Sequence, residues 1–97
     1  MDLAEPSENS TNAALAGYNN SHLFLTGGSN SAAVSVYDVE ANIWKSCPPL
    51  KQNRSYHSSC VVGDYLYVVG GKDSENGTTI TTIERASCIG LIQYTGE

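Results

Sequence analysis

The sequence predicts an all-β chain built from about two four-stranded antiparallel repeats, the second of them truncated. Short apolar runs such as residues 65–69 lie between polar turns and glycine pairs, which is typical of strands and not of helices. The same order of features occurs twice along the 97 residues. With 40% hydrophobic and 15% charged residues, the composition is that of a globular protein and not of a disordered chain.

The internal repeat is clearest where residues 20–28 (NSHLFLTGG) align with residues 63–71 (GDYLYVVGG), 43 positions further on. A strand candidate precedes each of these segments, at residues 13–18 and 58–62. A polar loop and a β-branched run follow each of them, the runs being residues 34–38 and 80–84. Each copy is therefore expected to form a strand, a tight turn, a second strand, a loop and a third strand.

The apolar runs indicate strands covered on both faces, as in a radially repeated sheet whose units pack against their neighbours. The glycine pairs Gly27-Gly28 and Gly70-Gly71 are assigned a structural role, since glycine admits a close backbone or ring and a positive φ. Trp44, in a fourth strand segment at residues 42–45, is the candidate for that ring. Tyr37 and Trp44 are both expected in the core.

These features together resemble the kelch repeat, in which an apolar strand, a glycine pair, a spaced Tyr-Asp, a spaced Trp and a Pro-containing link ending in Arg and His follow one another. The residues that carry the resemblance are His57, Val61, Val62, Gly63, Asp64 and residues 65–71 in the second copy, and Val36, Tyr37, Asp38, Asn42, Ile43, Trp44, Pro48, Pro49, Leu50 and Arg54 in and after the first. The resemblance implies a partial kelch β-propeller of about two blades.

The repeat divides the chain into four predicted segments. Residues 1–12 form a polar leader, expected to be disordered, and residues 13–50 form the first repeat. Residues 51–85 form an incomplete second repeat, and residues 86–97 a tail outside the pattern. Because propellers contain roughly four to eight blades, neighbour-facing surfaces should be uncovered, and the open strand edges and apolar tail make intermolecular pairing an expectation.

Charge and hydropathy exclude several functions. The formal net charge is −5 and the five Lys and Arg residues are scattered, so no basic stripe is present for nucleic acid. No apolar run approaches the ~20 residues of a membrane span, and the first residues are acidic and polar, unlike a signal peptide. The chain is therefore predicted to be a cytoplasmic protein that binds neither membrane nor nucleic acid.

The sequence favours no enzyme, cofactor or metal site. Cys47, Cys60 and Cys88 form no C-x-x-C pair and are expected to be reduced and mostly buried. His57 and Cys60 should face opposite sides of a strand, so His57 is predicted to be buried and hydrogen-bonded, not catalytic. Glu84 is interpreted as an isolated carboxylate, with no partner placed by a motif.

In kelch propellers, the loops between second and third strands and the links between blades commonly form a binding face. The resemblance therefore implies that the partner-binding residues are Ser29, Asn30, Ser31, Lys51, Asn53, Arg54, Ser55, Tyr56, Lys72 and Asp73. Arg54 and Tyr56 are the strongest candidates, because Arg and Tyr are enriched at binding hot spots. The alternative for Arg54 is a structural hydrogen-bond donor at the junction between blades.

The predicted function is that of a protein-protein interaction module. Similarity to kelch-like proteins, many of which carry BTB and BACK domains, implies a fragment of a substrate-recognition adaptor of a cullin-RING ubiquitin ligase. Cullin would bind only through those domains, which are absent from these 97 residues. The alternatives are an actin- or cytoskeleton-binding kelch protein, a fragment of a propeller enzyme, and a nonfunctional truncated isoform.

Overall fold

The first repeat folds into a four-stranded antiparallel sheet in which neighbours in sequence are neighbours in space. The computed structural model describes residues 12–29, 31–73 and 76–95. Strands β1 (Ala14–Tyr18), β2 (His22–Thr26), β3 (Val34–Asp38) and β4 (Ile43–Cys47) pair in the order β1-β2-β3-β4. The third strand has the bounds predicted for it, residues 34–38. The fourth strand was predicted at residues 42–45 and is observed at residues 43–47.

The second repeat forms a three-stranded antiparallel sheet. Its strands β5 (Ser58–Val62), β6 (Tyr65–Val69) and β9 (Ile83–Ser87) pair in the order β5-β6-β9. A small hairpin of β7 (Lys72–Asp73) and β8 (Thr78–Thr79) lies within the loop between β6 and β9. The strand predicted at residues 80–84 begins three residues later than expected, at Ile83, and continues to Ser87.

The two sheets pack face to face around one core. Because side chains alternate along each strand, Ala16, Phe24 and Val36 share the inner face of the first sheet, while Leu66 and Val68 share the inner face of the second. All five are buried in a single apolar cluster. Both sheets and their stacking confirm the predicted all-β, partial kelch-propeller architecture.

A short helix, α1 (Cys88–Gln93), takes the place of a fourth strand in the second sheet. The Ser87 hydroxyl caps its first turn by accepting a hydrogen bond from the Gly90 amide at 3.1 Å. The helix then turns Leu91 into the core, and the Lys45 ammonium donates to the Ile92 carbonyl. The predicted tail thus contributes to the core, although its sequence has no strand pattern.

Two predicted features differ in the structure. The outer face of β6 is open, with Tyr65 and Val69 exposed, so cover on both faces is wrong for the second repeat. Tyr37 is buried as predicted, but Trp44 is only partly buried and packs on Tyr37 with 5.1 Å between ring centroids. Besides these two sheets, the described residues contain only the small β7–β8 hairpin.

The group that approaches the first glycine pair is His57, not Trp44. At Gly27, where φ is +67°, an added Cβ would overlap the Arg54 carbonyl and lie 2.5 Å from His57 Cε1. At Gly71, where φ is +101°, it would lie 2.6 Å from the Ser55 carbonyl. Both glycines therefore allow residues 54–57 to pass directly over the ends of β2 and β6.

Replacing Gly27 with Ala should destabilise the chain more than replacing Gly63 with Ala. The backbone at Gly63 has a similar φ of +60°, but no atom lies within 4 Å of an added Cβ. Gly63→Ala should therefore cost only the strain of the left-handed conformation, about 1–2 kcal/mol. Gly27→Ala adds an overlap with backbone, about 1–3 kcal/mol more. Urea denaturation measures both, and equal losses would contradict the close approach.

Candidate partner-binding loops

Three loops that the sequence predicts to form a binding face converge at one end of the two sheets. The link between β4 and β5 lies between the β2–β3 loop and the β6–β9 loop. Its Arg54 carbonyl accepts a hydrogen bond from the Gly28 amide at 2.7 Å, and Ser55 exchanges backbone hydrogen bonds with Lys72 at 2.8 and 2.9 Å. The link therefore holds both loops in fixed positions.

Arg54 lies at the centre of this junction and is completely buried. Its guanidinium donates to the carbonyls of Gly70 and Thr82 at 3.0 and 2.7 Å, and its Nε lies 3.2 Å from a carboxylate oxygen of Glu84. The other Glu84 oxygen accepts a hydrogen bond from the Lys51 amide at 2.7 Å. A charge taken out of water is stable only with such partners.

The burial of Arg54 decides between its two predicted roles. The structural role is observed, and the prediction that Arg54 contacts a partner is wrong because no part of its side chain reaches the surface. The same correction applies to Ser55, which is also buried and hydrogen-bonds to the Lys72 carbonyl. Glu84 is likewise not an isolated carboxylate, since it pairs with Arg54.

Tyr56 is exposed to solvent, unlike the residues on either side of it. Its side chain is 70% exposed, while Ser55 before it and His57 after it are buried. The backbone bends at Tyr56, whose φ of +55° is a strained value for an aromatic residue. The Tyr56 amide donates to the Asn12 carbonyl at 3.3 Å, so the strained segment is also tied to the start of β1.

The remaining predicted loop residues differ in how far they are exposed. Lys51 and Lys72 are exposed, and Ser29, Ser31, Asn53 and Asp73 are half-buried. Ser29 accepts a hydrogen bond from the Asn12 side-chain amide at 3.2 Å. Asn30 lies outside the described residues.

His57 is buried and hydrogen-bonded, as predicted, and it links the two sheets. Its Nε2 lies 2.8 Å from the Thr26 hydroxyl, which also lies 2.6 Å from the Ser59 hydroxyl. Within the part of the chain that the structure describes, His57 Nδ1 has no hydrogen-bond partner. Burial lowers the pKa of His57, and the nearby Arg54 charge lowers it further.

No arrangement for covalent or metal chemistry is found among residues 12–29, 31–73 and 76–95. Cys47 and Cys88 are buried as predicted, and burial raises the pKa of both thiols. Cys60 is exposed, contrary to prediction, and lies on the outer face of the second sheet away from buried His57. Over the same residues, no group of three His, Cys, Asp or Glu side chains is placed to hold a metal ion. None of the helices described there has the length and hydropathy of a membrane span.

A four-stranded and a three-stranded antiparallel sheet that follow one another in the chain have the architecture of blades of a partial β-propeller. Residues 53–85 match the family described as Kelch motif. Residues 53–85 therefore carry a kelch repeat within a partial kelch propeller.

Relatives with kelch names align with more than half of the chain. Human Kelch-like protein 13 is 38% identical over 58 residues, which are 57% of this chain and 9% of that protein. Zebrafish (Danio rerio) Kelch-like protein 21 is 39% identical over 57 residues, 55% of this chain and 9% of that protein. Kelch repeat protein M-T8 of Myxoma virus is 35% identical over 68 residues, 66% of this chain and 13% of that protein. The chain thus spans about a tenth of these relatives' lengths.

Removing the Arg54 side chain should strongly destabilise the fold. Arg54→Ala leaves Glu84 and two carbonyls without their charged donor, and breaking a buried ion pair in this way costs about 3–5 kcal/mol. Arg85→Ala is the matched control, because Arg85 is exposed and its contact with the Tyr65 ring is worth only about 0.5–1 kcal/mol. Urea unfolding followed by Trp44 fluorescence compares them, and similar losses would contradict the structural role of Arg54.

His57 should make stability depend on pH below neutrality. Its folded-state pKa is depressed below the ordinary 6.5, so the unfolded chain takes up this proton first as the pH falls. The stabilising contribution of neutral His57 is complete above pH 6.5 and decreases as the pH falls towards the lowered folded-state value.

This dependence is measured as the difference in unfolding free energy between wild type and His57→Gln at several pH values. Groups that titrate in both proteins cancel in this difference. We expect the difference to be largest near neutral pH and to shrink below pH 6.5. A difference that stays constant or widens in acid would show that His57 is not buried in the neutral form.

Proposed function

We propose that the chain recognises another protein through the loop surface centred on Tyr56. The observation that carries this proposal is the 70% exposure of an aromatic side chain held in a left-handed backbone conformation between two buried residues. Strained backbone persists only where the surrounding structure imposes it, and it concentrates at functional sites. An exposed Tyr on a rigid support is the kind of residue that anchors protein interfaces.

The surroundings of Tyr56 support this role. The Ser55–Lys72 backbone pairing and the buried His57 fix the residues on both sides, so little conformational entropy remains to be lost when a partner binds. The same loops carry exposed Lys51 and Lys72 and half-buried Ser29, Ser31, Asn53 and Asp73, which would supply the polar rim of the proposed interface. An anchor within a polar rim is the common organisation of a non-obligate interface.

We further propose that the parent protein is a cytoplasmic substrate-recognition adaptor of a cullin-RING ubiquitin ligase. The support is the similarity to Kelch-like proteins 13 and 21 together with the adaptor role that the resemblance to kelch-like proteins implies. In this proposal residues 13–50 and 51–85 supply recognition loops, and cullin binds elsewhere in the parent. The chain itself acts by binding and not by catalysis.

Tyr56→Ala should remove partner binding without loss of stability. Truncating a hot-spot Tyr costs about 2 kcal/mol of binding, roughly a thirtyfold loss of affinity. Proteins that co-purify with the 97-residue chain are compared between wild type and variant by quantitative mass spectrometry, and affinity is then measured on the recovered partner. Tyr65→Ala is the control, because Tyr65 is also an exposed Tyr but lies on the sheet face.

Three outcomes separate the parts of the proposal. A partner retained by Tyr56→Ala but lost with Tyr65→Ala would contradict the loop site. A loop-bound partner whose cellular level does not rise when cullin-RING ligases are inhibited would contradict the adaptor role alone. Cosedimentation of the chain with actin filaments, abolished by Tyr56→Ala, would favour the cytoskeletal alternative.

A further inference from the structure

An apolar cavity of about 170 Å³ lies between the two sheets, next to α1. Val34 of the first sheet lines it from one side, and Leu66 and Val68 of the second sheet line it from the other. Leu91 of α1 adds to the lining, and all four side chains belong to the buried apolar cluster. The core of this chain therefore supplies the walls of the cavity.

The strand register explains why space is left at this point. The repeat aligns Leu66 with Leu23, and both residues pair with the next strand of their own sheet: Leu23 with Tyr37, and Leu66 with Ala86. Ala86, which also lines the cavity, therefore occupies the position that buried Tyr37 occupies in the first sheet. A methyl group is found where the equivalent side chain carries an aromatic ring.

The second aromatic ring of the first sheet also lacks a counterpart. Trp44 on β4 pairs with Tyr37 and packs on it with 5.1 Å between ring centroids. In the described part of the second repeat, α1 follows β9 directly, and no fourth strand places a ring beside Ala86. Aromatic rings fill large apolar volumes, and the side chain of Leu91 leaves part of this volume empty.

The carboxylate beside the cavity already has its partners. Glu84 lines the cavity, but one of its oxygens accepts a hydrogen bond from the Lys51 amide at 2.7 Å and the other lies 3.2 Å from Arg54 Nε. An apolar molecule can therefore fill the space without displacing a partner of this charge. Pro48 and Pro49 also line the cavity and are exposed, so it is accessible from solvent.

We propose that this cavity binds a small uncharged aromatic molecule with a single ring, which takes the place of the ring that Tyr37 supplies in the first sheet. An apolar cavity of about 150 Å³ in another protein stays dry and binds benzene, so a volume of about 170 Å³ has room for one ring and little more. Water competes poorly in such a space, because it needs about two to four polar partners. The site is separate from the loop surface centred on Tyr56 and does not rest on protein recognition there.

Methyl NMR spectra of the 97-residue chain, recorded during a titration with benzene, test the proposal. A bound ring shifts the signals of nearby methyl groups, so the signals of Val34, Leu66, Val68 and Leu91 should shift together and reach saturation. The expected dissociation constant is about 1 mM, a plausible affinity for so small a ligand. Leu15, which is 55% exposed on β1 and does not line the cavity, is the internal control whose methyl signals should not follow this curve.

Ala86→Phe supplies the missing ring covalently. This variant should lose the benzene-dependent shifts of the Leu66 and Leu91 signals, because its own ring fills the space. Its unfolding temperature should rise by about 4–8 °C, as expected when a cavity is filled in a domain of this size. Ala41→Phe is the matched control, since Ala41 is exposed in the turn after β3 and does not line the cavity. Its benzene binding should equal that of wild type.

Three results would overturn the proposal. The first is that none of the four cavity residues shows a saturable shift before the buffer is saturated with benzene. The second is that Ala86→Phe stays folded and binds benzene as tightly as wild type. The third is that N-acetylphenylalanine amide shifts the same signals at lower concentration than benzene, which would indicate that the cavity receives a side chain of another polypeptide and not a free aromatic molecule.

A smaller substitution keeps the test decisive if Ala86→Phe does not fold. Loss of its near-ultraviolet circular dichroism would show that the ring is too large for the space. Ala86→Leu then replaces it and should weaken benzene binding by about tenfold or more, because the added carbon atoms occupy part of the cavity. Unchanged affinity in Ala86→Leu would equally overturn the proposal.

Discussion

The buried guanidinium of Arg54 is the interaction on which the loop end of the molecule depends. It joins three separate parts of the chain: the link that carries it, the end of β6 at Gly70, and the segment entering β9 at Thr82 and Glu84. Arginine suits this position because its rigid, planar group donates in several directions at once. Without a charge at this point, two carbonyls and a carboxylate would converge on each other.

Strand prediction succeeded where local turns bound a strand, and it failed at the start of β9. There the contacts with Arg54, Gly70 and Gly71 hold residues 80–82 outside the strand. Local patterns located β3 and β5 because turns and glycine pairs bound them closely. Residues 80–82 have the β-branched composition of a strand, but the Ile80 amide bonds to the Gly71 carbonyl, and the Thr82 carbonyl accepts from both Gly70 and Arg54. These contacts are distant in sequence, so local propensity could not place the start of the strand.

Sequence patterns could not predict which of the candidate site residues are exposed. Arg54 and Tyr56 are two positions apart and equally typical of binding surfaces, yet one is fully buried and the other is 70% exposed. The backbone bends at Tyr56 with a positive φ, which composition does not indicate for an aromatic residue. In the same way, the ring over Gly27 is His57 from the neighbouring repeat, and no pattern within the first repeat could identify it.

Burial in a repeat protein depends on neighbours more than on residue type. Phe24 and Tyr67 occupy equivalent positions and are both aromatic, but Phe24 is fully buried while Tyr67 is only partly covered. The cause is the presence of a second sheet in front of the first and the lack of any described sheet in front of the second. Val62 and Val69 likewise lie at the positions that Tyr18 and Thr26 occupy in the first sheet, where both are buried. Phe24 is buried because Leu66 and Val68 of the second sheet lie in the same apolar cluster, so the packing of the two sheets and not residue type decides which of two equivalent side chains is exposed.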